Sequence, residues 1–202
     1  MLKTLYFILF PFLLVNLVCS CNLFSTRSPE APDSGKSSFQ LPTSASIVIS
    51  NFKNAIIEKN VNNYILCLAD TSLGDKRPYI FFASSEANAL YGSVFQNWKI
   101  NSERQYFNSL INNTPQDNVP TIIFSNSRYD VLSPDSAVYT TDYYLYINHT
   151  VSSINKNFAG TLQFSLAPRP SGLWSIYQWI DSSPSGVDTV KFTWSMMKAQ
   201  FS

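Results

Sequence analysis

The spacing of apolar side chains changes twice along the chain. An uninterrupted apolar and aromatic run extends from Leu5 to Val15. Between Ala45 and Ile111 apolar residues recur at intervals of three and four, which is the period of an amphipathic α-helix. Beyond Pro120 they alternate with polar residues, which is the period of a half-buried β-strand. The pattern therefore predicts a leading apolar segment, then helices, then strands.

The helical half divides into four predicted helices. The first begins after Pro42, the second spans residues 61–68, and an apolar stretch at 78–82 precedes the third. Helix starts are expected at residues whose side-chain oxygen can accept a backbone N–H: Thr43 or Ser44, Ser84 or Ser85, and Ser102 with Gln105. The third helix is expected to bury one stripe: Ala87, Leu90, Tyr91, Val94, Phe95 and Trp98.

The second half predicts strands at residues 121–129, 138–149, 158–167 and 173–181, followed by a short closing helix at 192–201. One face of the second strand should be buried: Tyr139, Thr141, Tyr143, Leu145 and Ile147. Helices first and consecutive strands afterwards predict the α+β class, with N-terminal helices packed on a curved antiparallel sheet of about four to five strands.

The leading apolar run has the layout of a secretory signal peptide. Lys3 precedes it, and its length fits the apolar region of ~7 to 15 residues that such peptides carry. A membrane span needs ~20 apolar residues, and this run is shorter and contains Pro11. The segment Val18-Cys19-Ser20-Cys21 resembles the lipobox of bacterial lipoproteins. Residues 1–20 are therefore predicted to be a cleaved signal peptide.

The lipobox resemblance implies that Cys21 becomes the acylated N-terminal residue of a lipoprotein. Several acyl chains, palmitate among them, would hold the protein on a membrane, since two chains bind stably where one does not. Asn22 follows the cysteine, which favours the outer membrane over the inner one. Cys67 would be left unpaired and is expected in the core. The alternative is an ordinary signal peptide of a secreted protein.

Composition narrows the classes of partner. Lys and Arg number 14 against 13 Asp and Glu, so loss of Lys3 leaves a formally neutral chain. A nucleic-acid binder would carry excess or clustered basic residues, and the sequence has neither. The Ser- and Pro-rich stretch after Cys21 predicts a flexible tether over residues 21–42, and residues 43–202 then form one α+β domain.

From Ser44 to Asp181 the chain resembles the nuclear transport factor 2-like superfamily, the cone-shaped, cystatin-like fold of ketosteroid isomerases. The resemblance rests on two opening helices around residues 55–60 and on the strand segment Gly172-Leu173-Trp174-Ser175-Ile176. It implies a curved sheet that wraps towards the helices and leaves an apolar pocket at the open end. No position matches the catalytic motif of the isomerases.

Candidate catalytic chemistry is sparse. His149, the single histidine, could act as a general base, but a solvated histidine at a strand end is the simpler interpretation. Asp142 lies among tyrosines, although alternation places it on the opposite face from Tyr143. The sequence has no ligand spacing typical of a metal site and no glycine cluster typical of a phosphate site. No metal, cofactor or catalytic residue is therefore predicted.

The strands carry more aromatic side chains than one packed sheet face requires, and such residues line ligand pockets and anchor interfaces. The candidate pocket residues are Tyr143, Tyr144, Tyr146, Trp174, Tyr177 and Trp179. These features favour a non-catalytic, membrane-anchored envelope domain that binds a small apolar ligand or a partner protein. The alternatives are a cone-fold enzyme of isomerase or dehydratase type and a structural component of an envelope assembly.

Overall fold

A computed structural model of the chain describes residues 37–184 and 192–202. The predicted signal peptide, Cys21 and most of the predicted tether lie outside these residues. The described helices are α1 (Ala45–Ile57), α2 (Val61–Leu66), α3 (Ser85–Phe95), α4 (Ile100–Asn112) and α5 (Trp194–Gln200). The strands are β1 (Ile80–Phe82), β2 (Thr121–Leu132), β3 (Ala137–Tyr146), β4 (Asn157–Pro168) and β5 (Trp174–Ser182).

The helices begin at the residue types that the sequence predicts. Ser44 caps α1 by accepting the backbone N–H of Ile47, and Ser84 caps α3 by accepting that of Ala87. The predicted cap of α4 is wrong: the N-cap is Lys99, three residues before Ser102, and the Ser102 hydroxyl instead accepts the N–H of Lys99 from inside the helix. Among residues 37–184 and 192–202, no helix has the length and apolar character needed to cross a bilayer.

The predicted stripe of the third helix is only partly buried. Ala87 and Trp98 are buried, Val94 and Phe95 are partly buried against the core, and 68% of Leu90 is exposed. The backbone leaves helical geometry at Tyr91, so residues on either side of it do not share one straight face. Helix α3 therefore packs on the core with part of its predicted stripe and leaves Leu90 in solvent.

The five strands form one curved, open, mixed sheet in the order β1-β5-β4-β3-β2. The four long strands are antiparallel neighbours, as predicted. The short strand β1 adds a parallel pair, with Phe81 opposite Trp179. The predicted inner face of β3 is confirmed, since Tyr139, Thr141 and Tyr143 are all buried.

A β-bulge in β5 changes which residues face the core. Ser165 pairs with Gln178 whereas Leu166 pairs with Ile176, so Tyr177 is an extra residue on β5. An extra residue shifts the alternation by one position. Ile176 and Trp179 are therefore both buried. Uninterrupted alternation would place these two side chains on opposite faces, since their positions differ by three residues.

The core lies between the sheet and the helices, and α5 closes it. Five consecutive residues of α5 are buried, from Trp194 to Lys198, because the helix packs against α3, α4 and β4. The compact unit extends from Ser37 to Ser202. Residues 37–42, at the end of the predicted tether, contact this unit through bonds such as those between Gln40 and Asn51. Cys67 is buried as predicted.

Candidate functional site

A carboxylate lies at the centre of the cone interior. Glu103, in the first turn of α4, has no exposed surface. Its Oε2 accepts the hydroxyl of Tyr64 at 2.8 Å, and its Oε1 accepts the hydroxyl of Tyr79 at 2.6 Å and the indole N–H of Trp98 at 2.7 Å. Lys198 of α5 completes the set with an ion pair and hydrogen bond to Oε1. Four donors thus satisfy the carboxylate.

Lys198 occupies an aromatic enclosure. Its Nζ lies 3.6 Å from the ring centre of Trp179 and 3.8 Å from that of Phe81, and the rings of Trp98 and Tyr106 are within 6 Å. A cation over an aromatic face is attracted by the ring quadrupole, and more strongly where water is excluded. We call the Glu103–Lys198 ion pair the buried pair. It is stabilised by the attraction between the two charges and by the cation–π contacts of Lys198.

A second buried acid fastens α5 to the sheet. Asp181 of β5 accepts the Tyr143 hydroxyl at 2.8 Å and the backbone N–H of Ser195 at 2.7 Å. The Ser195 hydroxyl also donates to Asp181. Tyr143 in turn accepts the N–H of Trp194 at 2.6 Å. The first turn of α5 is consequently bonded to side chains from two strands.

Burial governs the protonation of this network. It lowers the pKa of Lys198 to about 8, although the neighbouring Glu103 opposes the shift. Burial raises the pKa of Asp181, with hydrogen bonds from Ser195 acting the other way. It also raises the pKa of the interior phenols well above the ordinary value: Tyr64, Tyr79, Tyr106 and Tyr143. The interior is therefore a paired, water-excluded polar core.

A cavity opens to solvent beside strand β1. It has a volume of about 770 Å³ and lies between residues 69–71, residues 78–83, which include β1, and residues 88–100 of α3 and the turn into α4. We call it the lateral groove. Ile80 and Phe82 line it and are 44% and 49% exposed, so the groove presents apolar side chains to solvent.

The lateral groove and the buried pair share a wall. Tyr79, Phe81 and Trp98 all line the groove. The same three side chains contact the buried pair on their inner side, Tyr79 and Trp98 through Glu103 and Phe81 through Lys198. One layer of side chains thus separates an open apolar surface from a buried ion pair.

The six predicted pocket residues do not line a common cavity. Tyr143, Trp174 and Trp179 are buried in the core, whereas Tyr144 is exposed on the outer sheet face and donates to Asn157 at 2.7 Å. Tyr146 is half-buried, and Tyr177 lines a smaller cleft of about 210 Å³, where Arg77 packs on its ring. None of the six lines the lateral groove.

The two candidate catalytic side chains are apart from both features. Asp142 accepts from Asn126 and Thr161 on the outer sheet face, and these bonds lower its pKa. The expected solvated His149 is wrong, because the ring is buried against Phe201 and its Nε2 bonds the Asn155 carbonyl oxygen at 3.0 Å. Neither residue adjoins a large cavity in the described parts of the chain.

Sequence reasoning missed the charged residues of the interior. Glu103 lies on the same helical stripe as Tyr106, Phe107 and Leu110, and Lys198 follows Trp194 by one turn. A charge on an otherwise apolar stripe is the pattern that could have identified each one. Across residues 37–184 and 192–202, no group of three or more His, Cys, Asp or Glu side chains could hold a metal ion.

Known structures place this geometry in a common fold. A candidate dehydratase of the NTF2-like family from Streptomyces avermitilis superposes with a TM-score of 0.51 and 10% identity, over 70% of this chain and 94% of that one. The chain has the NTF2-like fold. A candidate scytalone dehydratase from Novosphingobium aromaticivorans gives a TM-score of 0.51 at 7% identity, covering 73% of this chain and 88% of its own.

An NTF2-like superfamily protein from Salmonella enterica gives a TM-score of 0.50 at 14% identity, over 71% of this chain and 92% of that one. No family model matches the sequence, and no curated protein matches it. At such low identity the NTF2-like fold is what these structures share with the chain. Function has to be argued from the chain's own residues.

Proposed function

We propose that this protein is a lipoprotein of the bacterial cell envelope, anchored through Cys21, whose NTF2-like domain binds an apolar ligand or a partner segment without catalysing a reaction. The observation that carries the proposal is the contrast between a closed interior and an open lateral groove. The groove volume of about 770 Å³ is within the range of ~300 to 1,000 Å³ found for ligand sites.

The buried acids support binding over catalysis. Glu103 is fully buried and satisfied by four donors, and Asp181 is held by Tyr143 and Ser195. A general acid or base must reach its substrate within hydrogen-bond distance. The alternative, a cone-fold enzyme of isomerase or dehydratase type, would require α5 to leave the interior and expose these side chains.

The test of the binding site uses a substitution that fills the groove. Gly92 lines the groove on α3, and a Cβ there would meet nothing nearer than the Asn88 Oδ1 at 3.6 Å. Gly92→Trp should therefore block the groove, whereas Gly92→Ala is its matched control. Both full-length proteins are extracted from their membranes and examined by native mass spectrometry.

We expect a co-purifying compound or protein with the wild type and with Gly92→Ala, and its loss with Gly92→Trp. Retention by all three proteins would contradict a site in the groove. A parallel assay with ketosteroid substrates tests the alternative. Turnover that Glu103→Gln abolishes in a folded protein would favour an enzyme.

The anchor is tested separately. Wild-type protein should fractionate with membranes, with an outer-membrane preference in a two-membrane host, and should carry the added mass of acyl chains at residue 21. Cys21→Ser should lose that mass and enter the soluble fraction. The variant has no thiol at residue 21 to be acylated, and stable anchoring needs more than one acyl chain. A Cys21→Ser protein that keeps the same mass and the same fraction would overturn the lipid anchor.

A further inference from the structure

The two edges of the sheet differ in how they are protected from pairing with another chain. An exposed edge strand offers free backbone N–H and C=O groups, and proteins commonly block such edges with bulges and charged side chains. Strand β2 has both devices. Its register shifts twice, between Ser125 and Arg128 and between Tyr129 and Val131, and Asn126 has φ +53°.

Charged side chains add to the protection of β2. Arg128 and Asp130 form an ion pair at 2.7 Å on this strand. Thr140 and Gln163 also contact Asp130 from the neighbouring strands, which fixes the carboxylate beside the edge. A long strand with these features is a poor template for another chain.

Strand β1 lies at the opposite edge and has neither device. Its sequence is Ile80-Phe81-Phe82, without a charge or a proline, and its register with β5 is continuous. Within the described residues β5 is its only partner strand, so the other side of its backbone has none. That side borders the lateral groove, which residues 78–83 line without a break.

The side chains of β1 match what a paired strand requires. Phe81 is buried, whereas Ile80 and Phe82 are exposed on the other face. An added strand would bring its own side chains beside these two, where apolar and β-branched cross-strand pairs are favourable. The three residues of β1 span about 10 Å, so the edge can pair with about three residues of an extended peptide, whose flanking residues would lie along the groove.

We infer that the lateral groove binds an extended segment of a partner protein, which pairs with β1 as a sixth strand and presents apolar side chains at alternate positions to Ile80 and Phe82. This inference rests on the proposed function and narrows its ligand to a peptide. Main-chain hydrogen bonds would supply affinity, and the apolar groove would supply the preference for side chains.

The experiment begins with random decapeptides displayed on phage and selected against the full-length protein in detergent. Selected peptides are resynthesised with single N-methyl groups at each position in turn. N-methylation removes one donor, and an edge pair uses the donors of alternate residues only. Since β1 has three residues, it can bond only one or two peptide donors. We therefore expect affinity to fall about tenfold at one or two positions that are separated by one residue, and little elsewhere.

Hydrogen exchange of the full-length protein should show slowed exchange in a fragment containing residues 78–83 when the peptide is bound, and the β2 fragment should be unchanged. The control variants are again Gly92→Trp, which should abolish binding, and Gly92→Ala, which should retain it. Equal loss at all N-methylated positions, or protection of β2 instead, would overturn strand pairing.

The outcomes separate this inference from the proposed function. If no peptide binds but a native small molecule is displaced by Gly92→Trp, the groove is a binding site and the strand inference is wrong. If neither peptides nor native compounds depend on Gly92, the proposed function fails as well.

Discussion

The interior of the cone and the lateral groove are built against the same wall and have opposite properties. On the inner side of Tyr79 and Trp98, every oxygen of Glu103 is engaged and Lys198 has no exposed surface. On the outer side, Ile80 and Phe82 are about half exposed and face an open cavity. In this chain the interior is filled by paired polar and aromatic side chains, and an apolar surface is presented to solvent beside β1 instead.

The closed interior should fail first at high pH. Four buried tyrosines have a pKa well above the ordinary value of 10.0, so their contribution to stability is fully present below pH 10 and is lost as the pH rises further. A tyrosine that ionises only in the unfolded state lowers the free energy of unfolding by ~1.4 kcal/mol for each pH unit above its unfolded pKa. Four such tyrosines together lower it by about 5 kcal/mol per pH unit. Denaturant unfolding from pH 9 to pH 11.5 measures this slope.

Lys198 changes the free energy of unfolding in the opposite direction and over a lower pH range. Its folded pKa of about 8 is below its ordinary value of 10.5, so the unfolded state holds the extra proton between these values and stability rises with pH in that range.

Tyr143→Phe should reduce the loss of unfolding free energy above pH 10 by the contribution of one tyrosine, or ~1.4 kcal/mol per pH unit. An unchanged slope in this variant would show that Tyr143 ionises normally in the folded protein.

Breaking the buried pair should have the next largest effect. Lys198→Met leaves Glu103 as an uncompensated buried charge, which costs about 3 to 5 kcal/mol of unfolding free energy. The exposed Lys76→Met is the matched control, with a change within about 0.5 kcal/mol. Guanidinium unfolding measures both. Similar small losses from the two variants would show that the pair is not desolvated.

The double variant Lys198→Met with Glu103→Gln tests whether these two side chains interact directly. It removes both charges, so part of the loss should be recovered relative to Lys198→Met alone. Strict additivity of the two single losses would contradict a direct interaction between these side chains.

Two glycines test packing on the two sides of the wall. A Cβ at Gly160 in β4 would lie 2.5 Å from the Ser182 carbonyl oxygen and 2.6 Å from the Tyr143 hydroxyl. Gly160→Ala should therefore cost about 1 to 3 kcal/mol through overpacking. Gly92→Ala, in the helix beside the groove, should instead stabilise by about 0.5 to 1 kcal/mol. Thermal or urea unfolding measures both changes in stability. If both variants were stabilised, or both destabilised, the inferred difference in packing between the two sites would be wrong.

The smallest effect on stability is expected at the groove surface. Phe82→Ser removes a half-exposed ring, so unfolding free energy should change by about 0.5 kcal/mol or less. Binding of a groove ligand should nevertheless weaken, which titration of the full-length protein measures. Phe107→Ser, in the buried core, is the contrasting variant and should be strongly destabilised. Unchanged ligand affinity in Phe82→Ser would place the binding site elsewhere.

Much of the fold could be predicted because local periodicity determines it. The caps at Ser44 and Ser84 and the inner face of β3 follow from side chains only a few residues apart. The bulge at Tyr177 could not be predicted in this way, because the register between β4 and β5 is a non-local property. One inserted residue puts Ile176 and Trp179 on the same buried face, which uninterrupted alternation would not do.

The candidate site was less accessible to sequence reasoning. Glu103 and Lys198 are 95 residues apart, and nothing in either local segment specifies the other. The lateral groove likewise combines residues around β1 with residues around α3, and it depends on α3 remaining largely exposed. The number of aromatic residues in the strands predicts a pocket, whereas Trp179 and Tyr143 are buried in the core.

The position of Lys198 late in the chain affects the order of folding during biosynthesis. A nascent chain that ends before residue 193 contains Glu103 and Asp181 but lacks both Lys198 and Ser195. Two acids and several phenols would then have to be desolvated without their final donors. Such a chain gains little by becoming compact, so stable closure of the cone should follow synthesis of residues 193–202.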